Sequence, residues 1–429
     1  MKPVLKKFDW LLFGDVIILT LTGILFIFSA QLKSGNPMFY VIKQSTALGL
    51  GIAAMLLVVS IRYELYSEYT DYFYIFGFLL LVLVLFFGTK IRGSKSWFDF
   101  GKFAFQPSEI AKITFVLYLA RFIEKNQHSI KKVSKLAIVF FATVVYIYLI
   151  LAEPDFSSAS VFVPVFLGMI YAGGLPKKIV LAVIIFFIVA LTLPFLEIWL
   201  STGFFTTGSW VANFRLIYVS TVFLITGIIW FLIKAIRLKM TFKKYKSIVL
   251  VVLLGLITAV SISGFLKDYQ RKRLIAFINP ALDPLGSGYN ILQSRIAIGS
   301  GKFLGRGIFQ GTQTQLGFIP DQHTDYIFAV LAEEGGAVFS FTIILLYVIL
   351  ISRGISIAKN ATTRFGSLTA VGITIMFAYY IILNLGMITG IMPVAGVPLP
   401  FISYGGSSLI TNMIAIGLLI NIHVRRYTY

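Results

Sequence analysis

The sequence predicts an all-α, polytopic integral membrane protein with about twelve transmembrane helices and one long extracytoplasmic loop. Of the 429 residues, 58% are hydrophobic and only 13% are charged, which is about half the charged share of a soluble domain. The apolar residues form runs near the roughly 20 residues that an α-helix needs to cross a bilayer. Lipid is therefore the solvent that fits this composition, and no stretch is polar for long enough to form a soluble domain.

Twelve apolar runs define the predicted spans. The first, Trp10–Ala30, follows a basic segment, as the core of a signal peptide would. It is longer than such a core, and Phe28-Ser29-Ala30-Gln31 is a poor cleavage site, so we predict a retained span. The other runs are Tyr40–Ile61, Tyr72–Gly88, Ile110–Phe122, Leu136–Leu151, Ser157–Gly173, Ile179–Leu200, Leu216–Ile233, Ile248–Leu266, Tyr326–Ile351, Gly366–Met387 and Ser407–Val424.

Lysine and arginine predict the orientation, because short cytoplasmic loops are enriched in them. The basic residues lie at both ends of the chain and in alternate loops, which places both termini in the cytoplasm. The loop Tyr63–Asp71 is acidic and is the one exception on that side. The only long loop, Lys267–Asp325, falls outside, and a connection of this length inside a compact protein is usually functional. We predict that residues 1–429 form a single membrane domain.

The formal net charge of +20 does not indicate a nucleic-acid-binding protein. In such proteins the basic residues cluster on a solvated face, whereas here they lie mainly in the short breaks between apolar runs. That distribution fits membrane topology and anionic lipid headgroups. The chain contains no cysteine, which excludes disulfides, thiolate metal sites and a cysteine nucleophile.

Two aspartates stand at the starts of apolar runs and allow both a structural and a functional interpretation. Asp325 lies at the outer end of a run, where it or Thr324 fits the N-cap of a helix. A carboxylate at the boundary of water and lipid also fits a general base, and the two roles are compatible. Asp155 follows Pro154 and precedes Ser157, a typical helix start, and here capping is the favoured interpretation.

Two further sites place charge within or beside apolar runs, where each charge costs several kcal/mol in hydrocarbon. Glu109 and Lys112 have i,i+3 spacing and share one helix face. They form either a neutralised pair or a lysine that is available to a phosphate. Glu333 and Glu334 are adjacent, so at least one of them must point into the helix bundle.

The glycine-rich segment Ile298–Gly307 does not fit a nucleotide-binding motif, because no strand precedes it and no βαβ unit surrounds it. It carries Lys302 and Arg306, and Arg273 and Arg295 lie upstream. Guanidinium groups and backbone amides together suit a phosphate or a pyrophosphate. Contact with lipid headgroups is the alternative. The chain has only three histidines, so a histidine-based metal cluster is not expected.

An ordered series of motifs along nearly the whole chain resembles the SEDS (shape, elongation, division and sporulation) family. The resemblance is closer to the elongation branch than to the division branch, on the evidence of Gly311-Thr312-Gln313 with Asp283-Pro284-Leu285-Gly286. The motifs are Phe105–Glu109, Pro154-Asp155, Asn279-Pro280, Asp283–Asn290, Gln293–Gly301, Gly311–Gln313, Pro320–Phe328 and Pro393–Ser408.

The resemblance implies a peptidoglycan glycosyltransferase of the bacterial cytoplasmic membrane that polymerises lipid II for cell-wall elongation. It places the catalytic aspartate of the family's His-Thr-Asp motif on Asp325. A divalent cation, Mg²⁺ or Mn²⁺, is a further candidate for stabilising the pyrophosphate. The implied partners are a class B penicillin-binding protein and other elongation proteins. We predict that the substrate-binding residues are Arg273, Lys112, Arg295, Lys302, Gln293, Glu109 and His323.

The chain departs from the family pattern in a few places. Ser96 stands where the family usually has arginine, with Lys95 beside it as a substitute, Ser157-Ser158 replaces Gly-Thr, and Ala395 replaces threonine. Two spans exceed the family's ten, and we assign them to an inserted hairpin at residues 201–246. The alternatives to a polymerase are a lipid II flippase without chemistry and a scaffold for other cell-wall enzymes. Transporters often contain inverted repeats, and none is evident here.

Overall fold

The computed structural model describes residues 7–33, 36–91, 94–101, 104–130, 132–203, 251–260, 268–283 and 286–426, and between 204 and 250 only positions 214, 217–224, 227, 231 and 249. In these ranges the regular secondary structure is helical apart from one small sheet. The elements are α1 Trp10–Gln31, α2 Pro37–Ser60, α3 Tyr63–Glu68, α4 Thr70–Phe87, β1 Thr89–Ile91, β2 Ser94–Asp99, β3 Ala104–Phe105, α5 Pro107–Lys125, α6 Val133–Ala152, α7 Phe156–Ser160, α8 Phe162–Ala172, α9 Lys177–Gly203, α10 Asp268–Ile278, α11 Ser287–Gly301, α12 Thr312–Gln315, α13 Ile327–Asn360, α14 Arg364–Thr389 and α15 Gly406–Arg425.

The prediction of an all-α, polytopic membrane protein is confirmed. Among the described residues, eight helices are long and apolar enough to cross a membrane, and shorter apolar helices cover Phe156–Ala172 and Val251–Val260. The predicted span Ile110–Phe122 lies within helix α5, which has charged residues in its first and last turns. The predicted span Leu216–Ile233 is described only in part, at positions 217–224, 227 and 231, and most of the inserted hairpin at 201–246 lies outside the described residues.

The chain divides into two compact units, residues 1–175 with 293–429, and residues 176–292. In the first unit α2 packs on α15, α4 on α5, and α13 on α14 and α1. Helices α14 and α15 form its centre, because most of their residues are buried by other parts of the unit. In the second unit α9 packs against α10.

A three-stranded antiparallel sheet, which the sequence analysis did not predict, joins α4 to α5. Thr89 pairs with Trp97, and Phe98 pairs with Phe105. The last strand leads within two residues to Pro107, which occupies the first turn of α5, where its fixed φ angle and missing N–H are tolerated. The sheet therefore sets the position at which α5 begins.

Helix α13 is broken at Gly336, which has φ 70° and ψ −171°. Backbone from the preceding loop pairs with the broken turn: the amide of Arg306 donates to the carbonyl of Glu333 at 3.0 Å, and the amide of Ala337 donates to the carbonyl of Lys302 at 2.9 Å. A side chain at Gly336 would meet the amide nitrogen of Gly305 at 2.2 Å. Glycine is thus required here by both its φ angle and the close approach of the loop.

Both glutamates beside this break are buried, with 0% of Glu333 and 1% of Glu334 exposed. Glu333 accepts hydrogen bonds from the backbone amides of Gln313 and Thr314 at 2.8 and 3.0 Å, and from the hydroxyls of Ser300, Thr312 and Thr314. Glu334 accepts from the Ser29 hydroxyl and the Phe309 amide. The two carboxylates therefore tie the end of the long loop to α13 and α1.

Candidate active site

Asp325 lies in the turn that immediately precedes α13 and is half-buried. Its backbone carbonyl accepts a hydrogen bond from Nδ2 of Asn384 at 2.9 Å. The N-cap position of α13 is Tyr326, which makes no side-chain capping bond, and the Thr324 hydroxyl donates to the carbonyl of Asp321. The capping interpretation of Asp325 and Thr324 is therefore wrong for this helix.

The turn that carries Asp325 is held by the loop between α14 and α15. The Ser403 hydroxyl donates to the carbonyl of Thr324 at 2.6 Å, and the Tyr404 amide donates to the carbonyl of His323 at 2.9 Å. Asn384 is fully buried and also donates to the carbonyl of Val397 at 2.6 Å. One asparagine thus joins the two loops, which orients the backbone at Asp325.

Lys112 and Glu109 form a buried ion pair on α5, with 2.8 Å between Nζ and Oε1 and only 5% and 6% of the side chains exposed. Lys112 also donates to the hydroxyl of Tyr380 at 2.9 Å. The pair is neutralised, as one predicted interpretation requires. An ammonium has three N–H donors, so two contacts leave one donor for another acceptor.

A cavity of about 20 Å³ adjoins this pair, which is enough for one water molecule. The second carboxylate oxygen of Glu109, Oε2, is buried and has no hydrogen-bond partner among the described residues. The lining residues are Glu109, Lys112, Ser157, Ser158, Tyr380, Val397, Pro398, Pro400, Ser408 and Asn412. The pair therefore borders a small cavity, and the availability of Lys112 to a phosphate stays a prediction.

Asp155 caps α7, as predicted, because its Oδ1 accepts from the Ser158 amide at 3.0 Å. Its Oδ2 also accepts from Nε2 of Gln106 at 2.8 Å. The capping aspartate thereby joins the start of α7 to the residue that precedes α5. Ser157, which replaces the family's glycine, donates its hydroxyl to Asp155 at 2.8 Å.

Glu153 lies beside this group and is fully buried, and neither of its carboxyl oxygens has a hydrogen-bond partner among the described residues. Burial, and secondarily the negative charge of Asp155, raise the pKa of Glu153 to about 9. The group is therefore protonated near neutral pH. Ser96 donates to the backbone carbonyl of Glu153 at 3.1 Å, whereas Lys95 donates to the carbonyls at the end of α4.

Helix α14 contacts three predicted site residues, Lys112, Asp325 and Arg295, at successive positions along its length. Tyr380 contacts Lys112, Asn384 contacts the backbone of Asp325, and the carbonyl of Thr389 accepts from Nε of Arg295 at 3.1 Å. Tyr380 and Asn384 are four residues apart, and Asn384 and Thr389 are five residues apart, which corresponds to about 6 and 7.5 Å along the helix axis. Helix α14 therefore brings Lys112, Asp325 and Arg295 to one end of the first unit.

The other predicted basic residues have different surroundings. The guanidinium of Arg295 also reaches the carbonyl of Gly390, so it caps the end of α14, where a cation stabilises the helix dipole. Lys302 is exposed and has φ 50°. Gln293 is half-buried on α11, and Arg273 lies on α10 in the second unit.

His323 is buried two residues before Asp325, with 8% exposed. Its Nδ1 is 2.6 Å from Nε2 of Gln31, and its ring lies against Tyr40 and Tyr404. Within the described ranges, no group of three His, Asp or Glu side chains is arranged to hold a metal ion.

The fold and the site define a multi-pass helical membrane protein in which an acid lies just before a span and a buried Lys–Glu pair contacts a neighbouring turn of α14. Residues 9–213 and 209–428 match the model of the FtsW/RodA/SpoVE family, described as cell cycle proteins. The chain therefore belongs to this family, the SEDS family, and the predicted family is confirmed.

Two curated relatives and one solved structure illustrate the similarity. The chain is 35% identical over 432 residues to peptidoglycan glycosyltransferase RodA of Treponema pallidum (strain Nichols), covering 98% of both chains. It is 34% identical over 396 residues to peptidoglycan glycosyltransferase MrdB of Escherichia coli (strain K12), covering 92% of this chain and 88% of that one. A chain in a structure that describes the coordination of polymerization and crosslinking by a peptidoglycan synthase complex matches with a TM-score of 0.69 at 26% identity, covering 98% of this chain and 99% of that chain.

Proposed function

We propose that this protein is a peptidoglycan glycosyltransferase that joins lipid II disaccharides into glycan strands, with Asp325 as the general base. Its curated relatives carry that enzyme name over nearly the whole chain. The observation that carries the proposal is the placement of Asp325 and Lys112 against neighbouring turns of α14, through Asn384 and Tyr380. A base and a cation at this spacing suit a reaction in which a proton leaves one group and negative charge develops on another.

In the proposed reaction, a hydroxyl of the acceptor sugar attacks C1 of the donor sugar. The new C–O bond forms as the bond from C1 to the undecaprenyl pyrophosphate breaks, and the bonding electron pair leaves with the pyrophosphate. The acceptor proton passes to the carboxylate of Asp325. A positioned general base contributes about 10²–10⁴-fold to such a step.

Cationic groups stabilise the charge that develops on the departing pyrophosphate. Lys112 is the leading candidate, because Glu109 and Tyr380 fix its ammonium and leave one N–H donor for a phosphate oxygen. Lys302 and Arg295 rank after it, and Arg273, which lies in the second unit, stays a prediction from the sequence. The guanidinium of Arg295 already binds two carbonyls of α14, so only its remaining donors are available to a substrate.

We also propose that both termini are cytoplasmic and that Asp325 faces the outside of the bacterial cytoplasmic membrane. The distribution of lysine and arginine supports this orientation. For a partner we propose a class B penicillin-binding protein that cross-links the new strands, together with other proteins of the elongation machinery. The similar chain from a complex that coordinates polymerization and crosslinking supports this pairing.

The test is to incubate the purified protein with lipid II, with and without Mg²⁺ or Mn²⁺, and to measure glycan strands. We expect polymer from the wild type, none from Asp325→Asn, and wild-type yield from Asp321→Asn. Asp321 is the matched control, because it is exposed in the same turn and its φ of 50° suits asparagine. Movement of lipid II across vesicles without any polymer would instead support the flippase. Full polymerisation by Asp325→Asn would refute the role of this carboxylate.

A further inference from the structure

Three aromatic rings lie together beside the turn that carries Asp325. The ring centres of Tyr40 and His323 are 5.0 Å apart, those of Tyr40 and Tyr404 are 5.2 Å apart, and those of His323 and Tyr404 are 5.5 Å apart. The contacts are edge-on or tilted, as aromatic rings prefer when they form stable pairs. We call these three residues the aromatic trio. They come from α2, the turn before α13 and the loop before α15.

Hydrogen bonds from two glutamines hold the aromatic trio in place. Gln44 is fully buried one helical turn after Tyr40. Its Nε2 donates to the carbonyl of Ser403, and its Oε1 accepts from the amide of Gly405, both at 3.2 Å. These two bonds clamp the backbone on both sides of Tyr404. Gln31 holds the ring of His323 through Nδ1 at 2.6 Å. The rings are therefore fixed before any ligand arrives, which lowers the entropy lost on binding.

Two members of the trio offer groups to a ligand. Tyr40 and Tyr404 are half-buried, in contrast to His323, and neither phenol hydroxyl makes a hydrogen bond to another described residue. Burial, with a smaller effect of Tyr40, raises the pKa of the Tyr404 phenol, so its hydroxyl remains a donor near neutral pH. Rings with an apolar body and a polar tip suit partners that are apolar on one side and wet on the other. A sugar ring has this character, with C–H groups on its faces and hydroxyls at its edge.

The aromatic trio lies close to Asp325, where the acceptor sugar must bind. His323 and Asp325 are separated by two residues, which is at most about 7 Å along the chain. The Tyr404 amide bonds to the carbonyl of His323, and the Ser403 hydroxyl bonds to that of Thr324, so the trio and Asp325 share one backbone framework. The sugar whose hydroxyl gives its proton to Asp325 must lie next to Asp325. Lys112, the leading candidate for the pyrophosphate, contacts a different turn of α14.

We propose that Tyr40 and Tyr404 form the subsite that binds the acceptor sugar, with the buried ring of His323 packed against both tyrosines. This inference rests on the proposed glycosyl transfer. The competing explanation is that both tyrosines anchor the protein at the membrane surface, as tyrosines commonly do. An anchoring role affects insertion and stability, whereas a subsite affects the concentration of acceptor that half-saturates the enzyme.

The test separates the two substrates chemically. The donor is a lipid II analogue whose acceptor hydroxyl is replaced by hydrogen, and the acceptor is a fluorescent disaccharide lipid that has no leaving group at C1. The rate of their coupling by purified full-length protein is measured as the acceptor concentration varies. We expect Tyr404→Leu and Tyr40→Leu each to raise the half-saturating acceptor concentration about tenfold, which corresponds to about 1.4 kcal/mol. Tyr404→Phe keeps the ring and should retain most of the acceptor binding.

Tyr148→Leu is the matched control, because Tyr148 is 70% exposed near the end of α6 and belongs to the outer end of a span by the same charge rule. It should leave the half-saturating concentration unchanged. The proposal is overturned if both leucine variants fold, as judged by their melting temperatures, and keep it within about twofold, or if only the maximal rate falls. Asp325→Asn is measured in parallel and should abolish coupling at every acceptor concentration. Full coupling by Asp325→Asn would refute the general base while leaving the tyrosine result to be judged separately.

Discussion

The buried pair of Glu109 and Lys112 allows stability and activity to be separated by mutation. The two charges are 2.8 Å apart and about 95% buried. Removing one partner of such a pair costs about 3–5 kcal/mol, because the other charge remains buried without compensation, whereas replacing both with apolar groups is often neutral. Oε2 of Glu109 already has no hydrogen-bond partner among the described residues, so loss of Lys112 leaves that carboxylate especially poorly satisfied. Lys112→Met should therefore destabilise the protein by about 3–5 kcal/mol.

The double variant Glu109→Leu with Lys112→Met should recover most of this loss, to within about 1–2 kcal/mol of the wild type. It should nevertheless make no glycan, because the cation proposed for the pyrophosphate is gone. The measurements are the melting temperature in detergent and the yield of polymer from lipid II. The control is Arg121→Met, which breaks an i,i+3 pair with Glu124 on the same helix, where Arg121 is 42% exposed. Such an exposed pair contributes only about 0–1 kcal/mol. A double variant as unstable as Lys112→Met would contradict the cost of the unpaired buried charge, and an active double variant would contradict the role of Lys112.

Three further predictions concern pH, the long loop and orientation. The pKa of Glu153 is raised to about 9 in the folded state, so the folded protein keeps a proton that the unfolded chain loses above about pH 4.5. The melting temperature should therefore fall as the pH rises from about 5 to about 9. Glu153→Gln removes a destabilisation of about 3 kcal/mol at pH 7 and should flatten this profile. Glu333→Gln leaves one buried backbone amide, that of Gln313 or of Thr314, without its acceptor. Hydrogen exchange at one of these two amides should accelerate about 10–100-fold, for a cost of about 1–3 kcal/mol, and unchanged protection of both would contradict the contacts. Because the chain has no cysteine, Gln310→Cys should react with a membrane-impermeant maleimide in intact cells, and Gln127→Cys only after permeabilisation; the reverse pattern would contradict the orientation.

The membrane architecture was predictable because each span is a continuous apolar segment of the sequence. An apolar run near 20 residues has few stable alternatives to a membrane helix. The break in α13 was not predicted, because Gly336 lies within a continuous apolar run. The pair Gly335-Gly336 was the available signal, but a glycine in a helix is often tolerated. The backbone that fills the break comes from residues 302–306, and no local pattern reveals that partner.

The candidate site was partly predictable for the same reason. Asp325, Asp155, Glu109 and Lys112 could be selected because charges beside apolar runs are costly and therefore rarely without a role. Their partners were missed, since Tyr380 lies 268 residues after Lys112 and Asn384 lies 59 residues after Asp325. A polar residue within an apolar span, such as Asn384, was the one signal available. Tertiary packing alone decides which helix such a residue meets.

The sheet between α4 and α5 was also missed. Its strands are short, and only Ser94–Asp99 has the length of an ordinary strand. Alternation of polar and apolar residues is weak there, because Trp97 and Phe98 are adjacent. Pairing with Thr89 and Phe105 supplies the stability that the strand lacks by itself, because a sheet needs three or more strands, or packing against a helix, to be stable.

A single-turnover measurement tests whether the carboxylate of Asp325 removes a proton as the glycosidic bond forms. Wild type and Asp325→Asn are saturated with lipid II, and the rate of bond formation is followed alongside lipid II binding. We predict that the rate of bond formation falls by about 10²–10⁴-fold, while affinity for lipid II stays within about threefold. A bond-forming rate that is unchanged, or a loss that is fully explained by weaker binding, would contradict the account.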